Sequence, residues 1–503
     1  MRLAVVAVLA ATAAAPATAA GAPAPLAVRP LHAEPGVAPR GRIVDDRGRE
    51  VLLRGVNVNA LVEYWPSPFS TFPRTVPVGR ADAVRMGRMG LNAVRLAISW
   101  SRVEPSPGRY DATYLRRIAA LARTFEREGI ATIVDLHQDA WGPTLAAPPG
   151  TACPAGSNPA LGWDGAPGWA TLVASATSRC TAGELRESSP AVLEAWSAFW
   201  ADRPGRGGVG VQSRYVAMLR HLARVVGRER GVVGFDVLNE PGAIGQTQNA
   251  ALAAFYVRAM RALRAVGGPR RLALLEPSVL WSATGSGPPP RLPAGRDVVY
   301  APHIYTGGFD DRAITRDAFA TARSEARGLG GAPVLTGEWG ADPDRAAAPG
   351  RSYFTRHQDL QDAFGIGATL WTWAESCGDP HKAADFRAQR LPEVWGVFDV
   401  RCTDNRRRGL RAALVADLTR GRVRAAPGRL DTTAWSAAGV LRAAGGPNRR
   451  GGGALVAWHP ARRVRVEVAG LAPRVVPWRG GSLIVAAPRA GAGRRWSLTV
   501  RRR

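Results

Sequence analysis

A chain of 503 residues is too long for one ordinary domain and long enough for a barrel of about 250 residues plus a smaller module. Its 46% hydrophobic content excludes a disordered protein and allows a large core. The net charge of +27 would normally point to nucleic acid or an anionic surface, but no nucleic-acid-binding signature accompanies it. Lys382 is the only lysine, and the arginine excess comes with abundant Ala, Gly and Pro, so the charge reads as a solvated basic surface. Attraction to acidic lipids or glycans is the alternative.

At the N-terminus, Arg2 precedes the apolar run Leu3–Ala15 and the small residues Ala17-Thr18-Ala19-Ala20. A basic start, an apolar run too short for a bilayer and an A-x-A site predict a signal peptide over residues 1–20 and a secreted protein. Residues 21–41, rich in Ala and Pro, are expected to be flexible.

From residue 42 to 420, short apolar runs alternate with amphipathic segments. The expected strands are Glu50–Val58, Asn92–Ile98, Ala131–Leu136, Val232–Leu238, Arg271–Leu275, Val298–His303, Pro333–Thr336 and Ala368–Trp373. Continuous apolar runs suit parallel strands buried on both faces. Helical patterns between them, such as Tyr114–Glu128 before Gly129, complete an α/β fold, a (β/α)8 TIM barrel. Residues 421–503 show short, closely spaced alternating strands, which predict a small C-terminal antiparallel β-sandwich.

Two barrel connections are long, one after the third strand and one after the eighth, and they hold all four cysteines. In an oxidising compartment an even count predicts disulfides. Three pairings exist; the local choice is Cys153–Cys180 and Cys377–Cys402. The spacings match no zinc motif, and no metal or cofactor is expected.

Barrel active sites lie where strands end. The fourth expected strand runs into Asn239-Glu240-Pro241, and the seventh into Gly337-Glu338-Trp339. Both glutamates therefore leave the barrel on one face, from nearly opposite strands. Glycosidic bond cleavage needs such a pair: one carboxyl protonated for the leaving oxygen, the other ionised to attack or to direct water. A spacing of about 5–5.5 Å gives retention and about 6.5–9.5 Å gives inversion.

Gly234-Phe235-Asp236-Val237-Leu238-Asn239-Glu240-Pro241 resembles the acid/base motif of glycoside hydrolase family 5, the cellulase-like group of clan A. Leu335-Thr336-Gly337-Glu338-Trp339-Gly340 resembles its nucleophile motif. Within the family, Arg54–Asn59, Asn92–Leu96 and Asp135-Leu136-His137-Gln138-Asp139-Ala140-Trp141-Gly142 resemble the endoglycoceramidase-like branch. The resemblance implies Glu240 as acid/base and Glu338 as nucleophile. It implies that Asn239 bonds the sugar 2-hydroxyl, that His303 contacts the acid/base and Tyr305 the nucleophile, and that Arg95 lies beneath the nucleophile. His137 and Asp139 would bind sugar hydroxyls, or else only pin their loop. Of Trp371 and Trp373, Trp373 is expected to stack on the sugar. The loop residues Leu61, Val62, Tyr64, Trp65, Phe69 and Phe72 could line an aglycone groove or equally pack on the sandwich, Trp141, Trp163 and Trp169 could line it or serve as packing, and Glu276 and Glu375 are spare carboxylates.

The leading expectation is a retaining endo-β-glycosidase that splits glycan from ceramide, a monomer whose partner is a glycolipid or β-glycan, with membrane-surface contact left open. A β-glucosidase or endoglucanase on soluble β-glycans is the first alternative. A catalytically silent carbohydrate- or lipid-binding protein is the second.

Overall fold

The chain was analysed as a computed structural model that describes residues 24–36, 40–242, 246–268, 270–287, 289–293, 295–309, 312–346, 352–446, 453–489 and 495–503. The expected leader, residues 1–20, lies outside them.

Eight strands, Arg54–Leu61, Ala93–Ser99, Ala131–His137, Val232–Asp236, Leu272–Leu275, Val298–Tyr300, Leu335–Trp339 and Gly367–Leu370, form one sheet. All its ladders are parallel. A parallel bridge from Tyr300 to Val334 joins the sixth strand to the foot of the seventh, which closes the ring. This is the (β/α)8 barrel. Its second and third strands are buried at every position, which is why they read as unbroken apolar runs. The outer helices follow their own pattern. Ala112–Glu126 starts at Asp111, whose carboxylate accepts the Thr113 and Tyr114 N–H groups, and buries Tyr114, Leu115, Ile118, Ala122 and Phe125 at three- and four-residue steps.

The sandwich contains a four-stranded sheet, in the order Leu430–Trp435, Leu441–Gly445, Trp496–Arg502 and Val464–Ala469. Its second sheet has seven strands, three of which come from the chain's N-terminal end. This corrects two expectations. Residues 21–41 are not flexible throughout: Leu31–Glu34 pairs antiparallel with Arg42–Asp45. Leu31, Ala33 and Ile43 then join Ala131, Val233, Leu272 and Leu335 in one apolar cluster that plugs the foot of the barrel. The expected strand Glu50–Val58 is two strands: Arg49–Val51 pairs with Arg422–Pro427 in the sandwich, and the barrel strand begins at Arg54. The barrel therefore starts near Arg54 rather than at residue 42.

The sandwich grips the barrel face opposite the strand ends. Arg424 donates to the Gly129 carbonyl at 2.7 Å, in a turn that leads into the third strand. Trp458 lies so close to Gly90 that a Cβ there would sit 2.3 Å from the indole; Gly90 also has φ +76°, so only glycine suits the turn. On the other face, both long connections are cross-linked, Cys153 to Cys180 and Cys377 to Cys402. Among the described residues no helix is long and apolar enough to cross a membrane.

Candidate active site

Arg95 stands on the second barrel strand, fully buried, and organises the site from below. Its Nη1 lies 2.6 Å from Glu338 Oε1, and its Nε 2.9 Å from Asp236 Oδ2. Nη2 lies 3.0 Å from Asp135 and 3.2 Å from Glu276. It also donates to Asn239 Oδ1 at 2.7 Å. Four carboxylates around one guanidinium leave an excess of negative charge. Burial and repulsion from Glu276 lift Asp236 well above the usual carboxylate range, against the pull of Arg95.

Glu338 sits above Arg95 at the end of the seventh strand. Its second oxygen, Oε2, accepts the Tyr305 hydroxyl at 2.8 Å. Burial and the Glu338 charge hold the Tyr305 phenol well above its usual range, so it stays a donor. Glu240 faces it. An oxygen of Glu240, an oxygen of Glu338 and a nitrogen of His303 all lie within 4.8 Å of one another. His303 Nδ1 is 3.0 Å from Glu240 Oε1, and its Nε2 is 3.1 Å from Glu276 Oε1. Burial opposes protonation of His303, but Glu276, Glu338 and its hydrogen bonds outweigh that and hold it well above the usual histidine range.

The backbone at Glu240 is left-handed, with φ +38°, which is unusual for a residue with a side chain. Two contacts hold it there. Its N–H donates to Glu276 Oε2 at 2.9 Å, and its carbonyl accepts Gln138 Nε2 at 2.9 Å. Gln138 also donates to the Asn239 carbonyl, while Asn239 Nδ2 donates back to the Gln138 carbonyl. One Asn239 N–H therefore remains for another acceptor.

Beside this pair, His137 Nδ1 is 2.8 Å from Asp135 Oδ2, and its Nε2 is 3.8 Å from Asp139. Burial opposes its protonation, but Asp135, Asp164 and Asp139 outweigh that and raise it to about 10. His137, Asp139 and Asp164 bring ligand-type atoms within 4.8 Å of one another. Trp371 stacks on His137, with ring centres 5.0 Å apart and planes 10° apart.

Glu240, Glu338, Asn239, His303, Tyr305, Arg95, His137 and Asp139 thus converge at the barrel mouth. Trp373 does not, which corrects the expected sugar platform. It is fully buried, its Nε1 donates to Asp82 at 3.1 Å, and its ring packs edge-on against Phe398. The strand ends at Leu370, so alternation no longer governs where the next residues point. Trp141 and Trp169 likewise pack against Trp100. Tyr64 is buried too. Glu375 is structural, paired with Lys382 at 3.2 Å.

Sequence reasoning missed Gln138, Asp164, Arg186 and His381, whose Nε2 lies 3.6 Å from Asp139 Oδ2, and it weighed Trp371 but preferred Trp373. Asp164 is fully buried between strands' ends, and neither oxygen has a hydrogen-bond partner among the described residues. Gln138 stood inside a motif already singled out. Arg186 lies in the long cross-linked loop and carried no local signal.

A parallel barrel with two facing glutamates over a buried arginine defines a glycoside hydrolase. The chain matches the cellulase family, glycosyl hydrolase family 5, over residues 44–376, and it belongs to that family. Among solved structures it is similar to an endogalactoceramidase, with 34% identity and a TM-score of 0.82, covering 94% of this chain and all of that one. It also shares the fold of endo-glycoceramidase II from Rhodococcus sp., solved with ganglioside GM3, at 24% identity and a TM-score of 0.69, over 92% of this chain and 99% of that one. Endoglycoceramidase I of Rhodococcus hoagii is 28% identical over 284 residues, 52% of this chain. The match spans about half, 51%, of that relative's own length.

Proposed function

We propose that the protein is a retaining endo-β-glycosidase that splits glycan from ceramide outside the cell. The observation that carries retention is the approach of Glu240 and Glu338 oxygens to within 4.8 Å. An approach that close accords with the short carboxylate spacing of retaining enzymes better than with the wider spacing of inverting ones. Glu338 attacks the anomeric carbon while Glu240 gives its proton to the departing oxygen. Water then attacks the same carbon, Glu240 takes its proton, and Glu338 is released. Arg95 and Tyr305 each donate to one Glu338 oxygen and so orient the nucleophile. The free Asn239 N–H suits the sugar 2-hydroxyl, and Asp139 with His137 suits other hydroxyls. Trp371 takes the stacking role first assigned to Trp373.

The lipid reading has its own support. Phe309, exposed at 63%, stacks on Tyr305 at 4.6 Å and on Trp395 at 5.9 Å. This puts an apolar wall beside the nucleophile, suited to an aglycone rather than a second sugar. The similarity to endogalactoceramidase favours galactose next to ceramide. Two closed disulfides support an oxidising compartment.

Incubation with galactosylceramide, lactosylceramide, glucosylceramide, a ganglioside and a cello-oligosaccharide tests this reading. The expected products are intact glycan and ceramide. Stepwise loss of terminal sugars, or cleavage of the cello-oligosaccharide alone, would overturn it.

A further inference from the structure

We propose that Arg186 is a latch on the acid/base: it ties Glu240 to Asp139 and must release Glu240 before that carboxyl can protonate a leaving group. The inference rests on the retaining reading of Glu240.

Arg186 belongs to the loop that Cys153–Cys180 pins over the mouth. Its Nη2 lies 2.7 Å from Asp139 Oδ1 and 3.1 Å from Glu240 Oε2. Its Nε lies 2.9 Å from Glu187, and the guanidinium lies 4.8 Å from the Trp163 ring centre. One cation thus bridges the residue proposed to bind sugar and the residue proposed to donate the proton. A sugar hydroxyl arriving at Asp139 Oδ1 competes directly for the same oxygen.

Other groups also face Glu240. His303 meets Oε1 from the loop after the sixth strand. Glu338 approaches from the seventh strand. Glu276 holds the Glu240 N–H from the end of the fifth. Ser282 is a further hydrogen-bond partner, from helix Val279–Thr284. Tyr305 stands nearby, on Glu338. Asp139 and Glu187 approach on the Arg186 side. Burial pushes the Glu240 carboxyl up, but His303 and Arg186 outweigh it and bring it down to about 2. Each of the two cations therefore opposes the protonated form that an acid needs. His303 is fully buried between Glu240 and Glu276 and has no way out. Arg186 is 24% exposed at the rim, and so is the cation that can leave.

The test compares the wild type with Arg186→Met and Arg186→Lys on phenyl β-lactoside. The alkaline limb of kcat/KM reads the acid in the free enzyme, and that of kcat reads it in the complex. Arg186→Met should raise the kcat/KM limb by about one to two pH units and leave the kcat limb in place. Arg186→Lys keeps the charge and should keep the wild-type limb. On 2,4-dinitrophenyl β-lactoside, whose leaving group needs no proton, Arg186→Met should shift nothing. A kcat/KM limb that stays put in Arg186→Met, or a kcat limb that moves equally far, overturns the latch. A 13C NMR titration of Glu240 in the ligand-free protein, assigned with Glu240→Gln, reads the same shift without turnover. If that shift is present while no glycoside is cleaved by the wild type, the charge coupling stands and the functional reading falls.

Discussion

Glu276 shows how much of the site is held by a residue outside the reacting pair. It accepts the Glu240 N–H at 2.9 Å and lies 3.1 Å from His303 and 3.2 Å from Arg95. It thereby fixes the left-handed backbone of Glu240 and the orientation of its histidine. Glu276→Gln keeps the volume but offers one acceptor instead of two, so kcat should fall about tenfold or more with KM little changed; steady-state kinetics on an aryl β-glycoside checks this. His137 gives a second prediction, in stability. Its folded value of about 10 stands above the usual 6.5, so it binds a proton more tightly when folded. Its contribution is complete below about pH 6.5 and is lost as pH rises through about 10. Thermal melts of the wild type should therefore fall between pH 7 and 10, and His137→Gln should flatten that fall. Glu240 and Glu338 were legible in the sequence because strand ends fix where they stand, whereas Asn239, His303 and Arg95 were marked by the family resemblance. The choice between Trp371 and Trp373 was not legible, because the strand stops at Leu370 and local spacing loses its meaning there. Arg186 was not, because only tertiary contacts bring it from an irregular loop to Glu240.

At the scale of elements, the eight barrel strands were legible from their apolar runs, and the C-terminal sandwich from its short alternating strands. The N-terminal strands were not. Leu31–Glu34 alternates correctly, with Leu31 and Ala33 buried, but four residues in an Ala- and Pro-rich stretch give too short a signal. Strands Arg422–Pro427, Leu430–Trp435 and Leu441–Gly445 were missed as well. Arg422–Pro427 is buried at every position despite two arginines, since those arginines reach carbonyls of the barrel side. The Cys153–Cys180 bond closes a separation of 27 residues and anchors the loop that carries Arg186. Replacing both cysteines by serine should cost about 3 kcal/mol, as measured by denaturant unfolding. The variant should also lose part of the Arg186 effect on the kcat/KM profile, because the latch is no longer held over the mouth.

For the molecule as a whole, the large positive charge is partly structural. Arg54 pairs with Asp362 at 2.9 Å, Arg420 with Asp359 at 2.6 Å, and Arg424 bonds the Gly129 carbonyl, all on the barrel face away from the site. Trp458 against Gly90 completes that seam. Trp458→Ala should destabilise the protein by about 3–5 kcal/mol in thermal or denaturant unfolding, yet leave kcat per folded molecule unchanged, since none of the described sandwich residues reaches the carboxylate pair. In the proposed mechanism the chemistry belongs to the barrel mouth, where Glu338 forms a covalent bond to the sugar while Glu240 handles the proton. The most direct measurement is trapping with a 2-deoxy-2-fluoro β-glycoside bearing a dinitrophenyl leaving group, followed by peptide mapping. The label is predicted on Glu338; a label on Glu240 or another carboxylate, or an inverted first product with no label at all, would contradict the account.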